Sequence, residues 1–317
     1  MKPIKPSLVI MAAGLGSRYG GLKQIDPIGP NGEILLEFAI QDMISFGGEK
    51  IICIVSEGIR SDFETMIVEK YKGKIQIELV VQTIAEIPEL GTRHSELGTG
   101  TQKRSKPWGT AHAVWCARKS IEGPFIVINA DDFYGREALK QAYDFLIHPN
   151  EGNQQNKLNQ LNSHCVVTYP LQNTLSKYGT VARGICEVVD GKLVKILEHT
   201  KIAWKMPPGQ GGVGGVLTHT CQDGHEIILN PQVPANMNLF GFQKSFLELL
   251  DQECIKFFKE YGHDEKREFF LPSVVMEMIV EKKGDIYALP TTSEWFGMTY
   301  PEDRIEAKEK IKRIFSV

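Results

Sequence analysis

The chain has 317 residues, of which 42% are hydrophobic and 24% are charged, as in ordinary globular proteins. Its formal net charge of −3 provides no electrostatic case for binding nucleic acid or an anionic membrane, so neither is an expected partner. The six cysteines are scattered without a C-x-x-C pair, which is typical of a reducing compartment. Because the first apolar run is too short for a secretory leader or a membrane span, we expect a cytoplasmic protein.

The first half of the chain alternates between apolar runs and stretches of helical periodicity. Each apolar run is short and is bounded by polar or glycine residues, which predicts buried strands. Strands that alternate with helices indicate a parallel sheet with crossover helices. The predicted strands are 7–13, 50–58, 75–82 and 125–130, and the predicted helices are 34–47, 60–73, 109–120 and 136–147.

The second half changes to β-structure before helices return. Residues 164–241 favour strands, among them a hairpin whose turn is centred on Asp190 and Gly191. Polar or glycine-rich composition predicts surface loops between the regular elements. The predicted loops are 91–106, 148–163 and 205–215, and the predicted C-terminal helices are 244–261, 269–282 and 301–315.

The glycine-rich stretch 11–24, MAAGLGSRYGGLKQ, follows the first predicted strand. A dinucleotide-binding loop needs G-x-G-x-x-G, but Tyr19 stands at the third glycine position. A Walker A loop needs lysine after its last glycine, but Leu22 stands there. A glycine loop that carries its own cations, Arg18 and Lys23, is suited to a triphosphate. From this stretch alone, a phosphate site and a tight turn with solvent-facing cations both remain open.

Several segments resemble the motifs of one enzyme family. GLGSRYGGLKQ is similar to the G-x-G-[ST]-R…K signature of the sugar-phosphate nucleotidyltransferases, and further similar segments follow in the family's order along nearly the whole chain. Each segment is weak by itself, but together they identify the chain as an outlying member of that family. These segments are PWGTAHAV (107–114), INADDFYG (128–135), KYGTV (177–181), ILEHTK (196–201), ANMNLFGF (235–242) and WFGMTYPED (295–303).

The resemblance implies a fold and a domain plan. The fold is α/β and Rossmann-like, of the GT-A-like nucleotide-diphospho-sugar transferase type, with a mostly parallel mixed sheet flanked by helices. It implies a single nucleotidyltransferase domain over residues 1–317. Residues 1–150 would form the nucleotide-binding core. Residues 151–317 would supply a β-rich half that binds the sugar phosphate, together with the C-terminal helices.

The implied reaction is attack of a sugar 1-phosphate on the α-phosphorus of a nucleoside triphosphate, which releases pyrophosphate and forms a nucleotide sugar. A phosphate nucleophile is already anionic, so this chemistry needs cations and positioning rather than a side-chain base. The expected partners are a nucleoside triphosphate and a sugar 1-phosphate, and the expected cofactor is Mg²⁺. The sequence leaves the base, the sugar and the oligomeric state open, a homo-oligomer included.

The resemblance also implies roles on the nucleotide side. Arg18 would hold the β- and γ-phosphates, and Lys23 would lie near the α-phosphate or the sugar phosphate. Asp131 ends an apolar strand, where a carboxylate is a natural Mg²⁺ ligand, with Asp132 as a second metal ligand or a helix N-cap. Arg18, Lys23 and Asp131 are the expected catalytic residues. The expected nucleotide-binding residues are Ala12, Ala13, Gly14, Gly16, Ser17, Gln82, Gly109 and Thr110.

On the acceptor side, the resemblance implies that Gly179, Glu198 and Asn236 hold the sugar and that Lys201 takes its phosphate. Glu198 can accept hydrogen bonds from two adjacent hydroxyl groups, whereas Asn236 can donate and accept. Gln82 would read the edge of the base through its amide group, with Gly109 and Thr110 against that base.

The clearest departure from the family pattern is Gly297. It stands two residues after Trp295, where the family often has a second metal-binding aspartate. Three alternatives follow. Asp132 completes the metal shell, or a water molecule does so, or Asp131 and the phosphates hold the ion alone.

Other functions remain as alternatives. A cytidylyltransferase that acts on a non-sugar phosphate such as phosphocholine would share this fold, and a regulator that binds a nucleotide sugar without turnover would fit Gly297. A glycosyltransferase of the same architecture is disfavoured because Arg18 and Lys23 suit a triphosphate. The stretch 219–225 could suggest a zinc site, but three ligands around a turn-like Asp-Gly pair favour a hairpin tip.

Overall fold

The computed structural model describes residues 4–14, 27–83, 104, 106–148, 162–205, 215–221, 223–298 and 302–315. Within these residues the strands are β1 (Ser7–Met11), β2 (Lys50–Val55), β3 (Gln76–Val81), β4 (Phe125–Asn129), β5 (Asp132–Phe133), β6 (Ser163–Pro170), β7 (Val181–Val189), β8 (Lys192–Lys205), β9 (Val216–Thr220), β10 (Glu226–Ile228), β11 (Pro234–Phe242), β12 (Asp285–Pro290) and β13 (Phe296–Gly297). The helices are α1 (Leu35–Ser45), α2 (60–71), α3 (Thr110–Ala117), α4 (Arg136–Ile147), α5 (Phe246–Tyr261), α6 (Leu271–Val280) and α7 (Asp303–Phe315).

The predicted elements are confirmed, with ends that differ by no more than three residues. The predicted turn at Asp190 and Gly191 joins β7 to β8, and both residues have positive φ angles, +51° and +75°. Strands β9 and β10 pair antiparallel, and Cys221 N–H donates to His225 O, so the described residues of the stretch 219–225 belong to a hairpin, as predicted. Most residues of the three predicted loops lie outside the described part of the chain, so those predictions stay untested. Among the described residues, no helix is both long enough and apolar enough to cross a membrane.

The first half forms a parallel sheet in the order β3-β2-β1-β4. Val9 of β1 pairs with Ile52 of β2 on one side and with Val127 of β4 on the other. Val9 and Ile10 are fully buried and belong to separate hydrophobic clusters on the two faces of the sheet. Because helices cover both faces, the strands are apolar at nearly every position, which explains why they read as continuous apolar runs.

The second half extends the same sheet, mainly by antiparallel pairing. β11 pairs antiparallel with both β4 and β6, and β12 lies parallel to β6. The β7–β8 hairpin joins through β11, and β8 is continued by β9 and β10. The register of β11 against β6 shifts between Asn236 and Phe240, and Asn238 within this irregularity has a φ of +61°. The sheet is therefore mixed, and β11 joins its parallel and antiparallel parts.

The carboxyl ends of β1, β3 and β4 lie at one edge of the sheet. The chain runs from β1 outward to β3 and then returns to β4 on the opposite side of β1, which creates a crevice where α/β proteins bind ligands. Backbone hydrogen bonds continue just past the strands: Ala12 N–H donates to Ile54 O (2.7 Å), Gln82 N–H to Val55 O (2.9 Å) and Ala130 N–H to Met11 O (3.1 Å). The residues that follow these strands are thus fixed along the same edge.

Candidate active site

Asp132 lies in a buried hydrogen-bond network directly after β4. Its Oδ2 accepts from Asn129 Nδ2 (2.8 Å) and lies 3.2 Å from the Tyr134 hydroxyl. That hydroxyl also lies 2.8 Å from Met237 O and accepts from the Asn129 N–H (3.0 Å). The network therefore fixes the Asp132 carboxylate and connects the end of β4 to β11.

Asp131 is half-buried, and its backbone is attached to the C-terminal part of the chain. Its carbonyl oxygen accepts from Met298 N–H (3.2 Å). The short strand β13 pairs with β5, and Gly297 stands opposite Asp132 in this pairing. A Cβ atom added to Gly297 would lie 2.3 Å from Asp132 Oδ1, so only glycine leaves room for this carboxylate. The position at which the sequence departs from the family pattern is thus occupied by the Asp132 side chain.

These two carboxylates fit a magnesium site. No group of three or more His, Cys, Asp or Glu side chains within the described residues could hold a metal ion by itself. Mg²⁺ is usually bound by one or two carboxylates together with substrate phosphates and water, so Asp131 and Asp132 are of the residue type that such a site needs. The space that Gly297 leaves for Asp132 Oδ1 supports the first of the three alternatives, in which Asp132 completes the metal shell.

Gln82 and Gly109 meet although 27 positions separate them in the chain. Gln82 Nε2 donates to Gly109 O (3.1 Å) and lies 3.3 Å from Nδ1 of the fully buried His112. The Gln82 side chain is itself buried. The two residues expected beside the base are therefore in direct contact.

Gly109 and Thr110 also contact the segment before α6. Gly109 has a φ of +103°, and an added Cβ would lie 2.6 Å from Phe269 O, so the backbone at Phe269 requires glycine here. The Thr110 hydroxyl accepts from Leu271 N–H (2.9 Å) at the start of α6. Sequence reasoning assigned the missing side chain of Gly109 to close approach of the base, and it missed the packing of this glycine against Phe269.

Glu198 and Asn236, the residues expected to hold the sugar, lie on the two strands that flank β7. Gly184 of β7 pairs with Glu198 of β8 and with Asn236 of β11. A Cβ on Gly184 would lie 3.6 Å from Glu198 Oε2 and 3.7 Å from Asn236 Cβ, so this glycine stands between the two side chains. Asn236 Oδ1 accepts from Asn238 N–H (2.9 Å), so its amide nitrogen is the group better suited to a ligand.

Arg183 is a charged residue that sequence reasoning missed. Its guanidinium group donates to Thr174 O and to Ala182 O, and it lies 5.0 Å from the centre of the Trp295 ring. Burial lowers the pKa of Arg183 to about 10, against the opposing charges of three carboxylates. These carboxylates are Asp132, Glu198 and Asp303.

The Arg183 charge interacts both with Asp132, near the end of β4, and with Glu198 on β8. Glu198 is exposed as a whole residue, yet burial of its carboxyl group raises its pKa, and the Arg183 charge opposes that rise. The Arg183 charge also acts on Asp132. The sequence pattern of β7 did not indicate this role. A buried arginine such as Arg183 cannot be told from a solvent-exposed strand cation by its position in the sequence.

Of the other predicted residues, some lie in the described part of the chain and some do not. Ala12 and Ala13 are buried at the end of β1, followed by exposed Gly14. Gly179 is half-buried, and Lys201 is exposed with a φ of +52° and has no ion pair with any described residue. The remaining predicted residues, Gly16, Ser17, Arg18 and Lys23, lie outside the described residues.

Comparison with known proteins decides the family. The family model described as Nucleotidyl transferase matches residues 7–192, which is more than half of the chain. The chain belongs to the nucleotidyl transferase family. A curated relative, the UTP–glucose-1-phosphate uridylyltransferase of Bacillus subtilis (strain 168), is 30% identical over 153 residues. This match covers 45% of the present chain and 50% of the relative, so the chain spans about half the length of that nucleotidyl transferase.

Solved structures extend the likeness over nearly the whole nucleotidyl transferase chain. The inositol-1-phosphate CTP transferase from T. maritima gives a TM-score of 0.57 at 15% identity, over 98% of each chain. HddC from Yersinia pseudotuberculosis gives a TM-score of 0.54 at 18% identity, over 97% of this chain and 100% of that one. At such low identity the likeness concerns the fold, and it confirms the expected nucleotide-sugar transferase architecture.

Proposed function

We propose that the chain transfers a nucleoside monophosphate from a nucleoside triphosphate to a sugar 1-phosphate, releasing pyrophosphate and forming a nucleotide sugar. One observation carries the proposal: Asn238 Nδ2 of β11 lies 3.5 Å from Asn129 Oδ1 at the end of β4. This contact brings the neighbourhood of Asn236 beside Asp131 and Asp132. A transferase needs such adjacency, because the acceptor phosphate must reach the α-phosphorus of the donor.

On the donor side, the base would lie against Gly109 and Thr110, with the Gln82 amide group at its edge. The backbone amides after β1, from Ala13 through Ser17, would surround the phosphates, whereas the Ala12 N–H is used by its bond to Ile54 O. Arg18 would stabilise the charge that develops on pyrophosphate as it leaves, and Lys23 would lie close to the α-phosphate. These roles rest on the family resemblance.

Asp131 and Asp132 would hold Mg²⁺ in this reaction. When bound, the ion supplies charge neutralisation for the triphosphate oxygens. The contribution of the chain itself is to fix both carboxylates: the hydrogen bonds from Asn129 and the room left by Gly297 support this role for Asp132.

On the acceptor side, Glu198 would accept hydrogen bonds from two hydroxyl groups of the sugar, and Asn236 would donate through its amide nitrogen. Gly179 would border the ring, and Lys201 would approach its phosphate. The nucleophile is a phosphate oxygen that is already ionised, so no side chain has to remove a proton. These residues would therefore contribute to catalysis by holding the phosphate of the acceptor in position for attack.

We also infer that the reaction takes place in the cytoplasm. The six cysteines are free thiols, and four of them are buried, which supports a reducing compartment.

The test is release of pyrophosphate from each common nucleoside triphosphate with Mg²⁺ and a panel of acceptors. The panel holds several sugar 1-phosphates, a cyclitol phosphate and phosphocholine, so the cytidylyltransferase alternative is tested in the same experiment. We expect release with at least one sugar 1-phosphate. Release with phosphocholine alone would favour the alternative. No release with any pair, together with tight binding of a nucleotide sugar, would refute the proposed activity and favour a regulator that binds a nucleotide sugar without turnover.

The variant Asp131→Ala tests the proposed metal-binding role of Asp131. We expect it to abolish release of pyrophosphate while the thermal midpoint of unfolding stays nearly unchanged, because the side chain would serve the metal rather than the fold. Asp144→Ala, which removes a carboxylate paired with Lys140 on α4, is the control and should retain activity. A large loss of stability in Asp131→Ala would indicate a structural role instead.

A further inference from the structure

A cleft of about 950 Å³ opens beside the acceptor side of the site. Its walls come from residues 172–180, from Trp204 near the end of β8, from residues 292–295, and from Glu306 and Lys310 of α7. Small-molecule sites commonly measure about 300–1,000 Å³, so this cleft is large for one phosphorylated monosaccharide. We name it the Tyr178–Trp204 cleft after the two aromatic residues on its walls.

Both aromatic residues are unusually exposed. Tyr178 is 46% exposed and Trp204 is 47% exposed, whereas the other three tryptophans of the chain are buried. Leaving such large rings in water forgoes the stabilisation that burial would give. Flat amphipathic rings of this kind stack against the C–H face of a sugar, which removes apolar surface from water and leaves the sugar hydroxyls exposed.

A buried donor on the wall of the cleft has no acceptor within the part of the chain that the structure describes. Trp295 lines the cleft and is 6% exposed, and its indole N–H finds no hydrogen-bond partner among the described residues. Buried N–H groups are nearly always paired in folded proteins, because an unpaired one costs about 1–3 kcal/mol. The nitrogen itself is enclosed, so a ligand in the cleft would contact the rest of the Trp295 side chain rather than its N–H.

The lysines on the wall of the cleft already pair with carboxylates, which disfavours a second phosphate as its ligand. Glu306 pairs with Lys177 (3.3 Å) and with Lys310 (3.1 Å), and Lys310 also lies 3.8 Å from Glu294. Each lysine on the wall is therefore paired with a carboxylate, although Lys177 and Lys310 share Glu306 and Glu294 is also paired with Arg313. A neutral molecule with many hydroxyl groups fits this lining better than an anion.

We propose that the Tyr178–Trp204 cleft binds a neutral glycosyl ring. The ring stacks on Trp204 and Tyr178, and its hydroxyls meet the Glu294 and Glu306 carboxylates of the wall. Gly179 and Thr180 belong to the cleft, and Gly179 is an expected acceptor residue, so the cleft continues the acceptor site. The ring comes either from a second sugar unit of the acceptor, which rests on the proposed function, or from a separate sugar ligand.

Binding is tested with unphosphorylated sugars, without any nucleotide. Glucose, maltose and cellobiose are titrated into the full chain by calorimetry, with inorganic phosphate as the anionic probe. We expect at least one disaccharide to bind with millimolar affinity and to bind more tightly than phosphate. Trp204→Ala and Tyr178→Ala should each weaken it about tenfold, whereas Trp204→Phe should retain most of the affinity. Ile228→Ala, an exposed apolar residue on β10, is the matched control.

The source of the ring is then separated by pyrophosphate release. If it belongs to the acceptor, a disaccharide 1-phosphate has a lower KM than the monosaccharide 1-phosphate, and Trp204→Ala removes that difference. If it is a separate ligand, the two acceptors have equal KM values. The proposal is overturned if no neutral sugar binds, or if binding is unchanged in both alanine variants. Failure of pyrophosphate release with intact sugar binding would refute only the proposed function.

Discussion

Gly297 and Asp132 occupy a shared volume, and this pair marks where the chain departs most from its family. An aspartate at position 297 would bring a carboxylate from the C-terminal tail, but the place of its Cβ lies 2.3 Å from Asp132 Oδ1. A side chain at 297 and the present position of Asp132 therefore exclude one another. The chain lacks the tail aspartate, and the Asp132 carboxylate occupies the space that its side chain would need.

We expect Gly297→Ala to displace the Asp132 carboxylate and to raise the Mg²⁺ concentration needed for half-maximal turnover by about tenfold, which corresponds to about 1.4 kcal/mol. The measurement is a Mg²⁺ titration of pyrophosphate release. Gly58→Ala is the matched control, since a Cβ at Gly58 would meet nothing within 4 Å. An unchanged Mg²⁺ dependence in Gly297→Ala would show that Asp132 takes no part in holding the metal.

Some site residues could be predicted from the sequence and others could not. Asp131, Glu198 and Asn236 could be named as candidates because each stands in a recognisable motif at a strand end or within a strand. Arg183 and Asn238 were not, because their roles depend on strand register and on the irregularity of β11. Trp295 was recognised as part of a motif, but its unpaired N–H is visible only in three dimensions.

At the scale of elements, the contact between Gly109 and the segment before α6 ties the base side of the site to the C-terminal helices. Phe269 N–H donates to Trp108 O (2.6 Å), and Ala111 N–H donates to Phe269 O (2.9 Å). These backbone bonds pair the start of α3 with the residues preceding α6. The start of α3 is thus held by a segment about 160 residues further along the chain, which no local pattern could indicate.

Gly109→Ala should destabilise the fold by roughly 2–4 kcal/mol, because it combines an unfavourable positive φ with a clash against Phe269 O. Gly191→Ala separates the two causes: its φ is +75°, but an added Cβ there meets nothing within 4 Å. We expect that variant to cost only about 1 kcal/mol. Both are measured by chemical denaturation. Equal losses in the two variants would mean that the Phe269 contact is unimportant.

At the scale of the whole molecule, the joint between the two parts of the sheet contains a buried histidine. His164 of β6 is 1% exposed, and its Nδ1 accepts from Gln243 N–H (3.1 Å). Burial lowers the pKa of His164 to about 4, and the charge of Asp285 opposes this shift. Asp285 is itself paired with Lys192 (2.8 Å).

The lowered pKa predicts a loss of stability in acid. The folded state disfavours the charged imidazole, whereas the unfolded chain binds a proton with the ordinary pKa near 6.5. The unfolded state therefore binds more protons between about pH 6.5 and pH 4, so stability falls as the pH is lowered through that window. The total contribution is on the order of 3 kcal/mol.

We expect His164→Gln to lose less unfolding free energy than the parent chain between pH 7 and pH 5, as measured by chemical denaturation at each pH. His225→Gln is the matched control, because His225 is exposed on the β9–β10 hairpin. Parallel stability curves for His164→Gln and the parent would contradict the assignment of this acid sensitivity to His164.

The overall architecture was only partly predictable. Alternating strands and helices define the parallel part, since each crossover determines which strands can be neighbours. The antiparallel part is different: β12 inserts between β6 and β8, although it lies more than a hundred residues after β6. Pairing over such distances leaves no trace in local hydrophobic patterns, so the motifs, not the periodicity, indicated one continuous domain.

We propose that the residues after the carboxyl ends of β1 and β4 form a single site for nucleotidyl transfer together with Glu198 and Asn236. The most direct measurement follows a label on the α-phosphate of the nucleoside triphosphate during turnover with the active sugar 1-phosphate. We predict that the label enters the nucleotide sugar in equal amount to the pyrophosphate released, and that Asp131→Ala and Glu198→Gln both lose this transfer. Recovery of the label as free nucleoside monophosphate, or full transfer by either variant, would contradict the account.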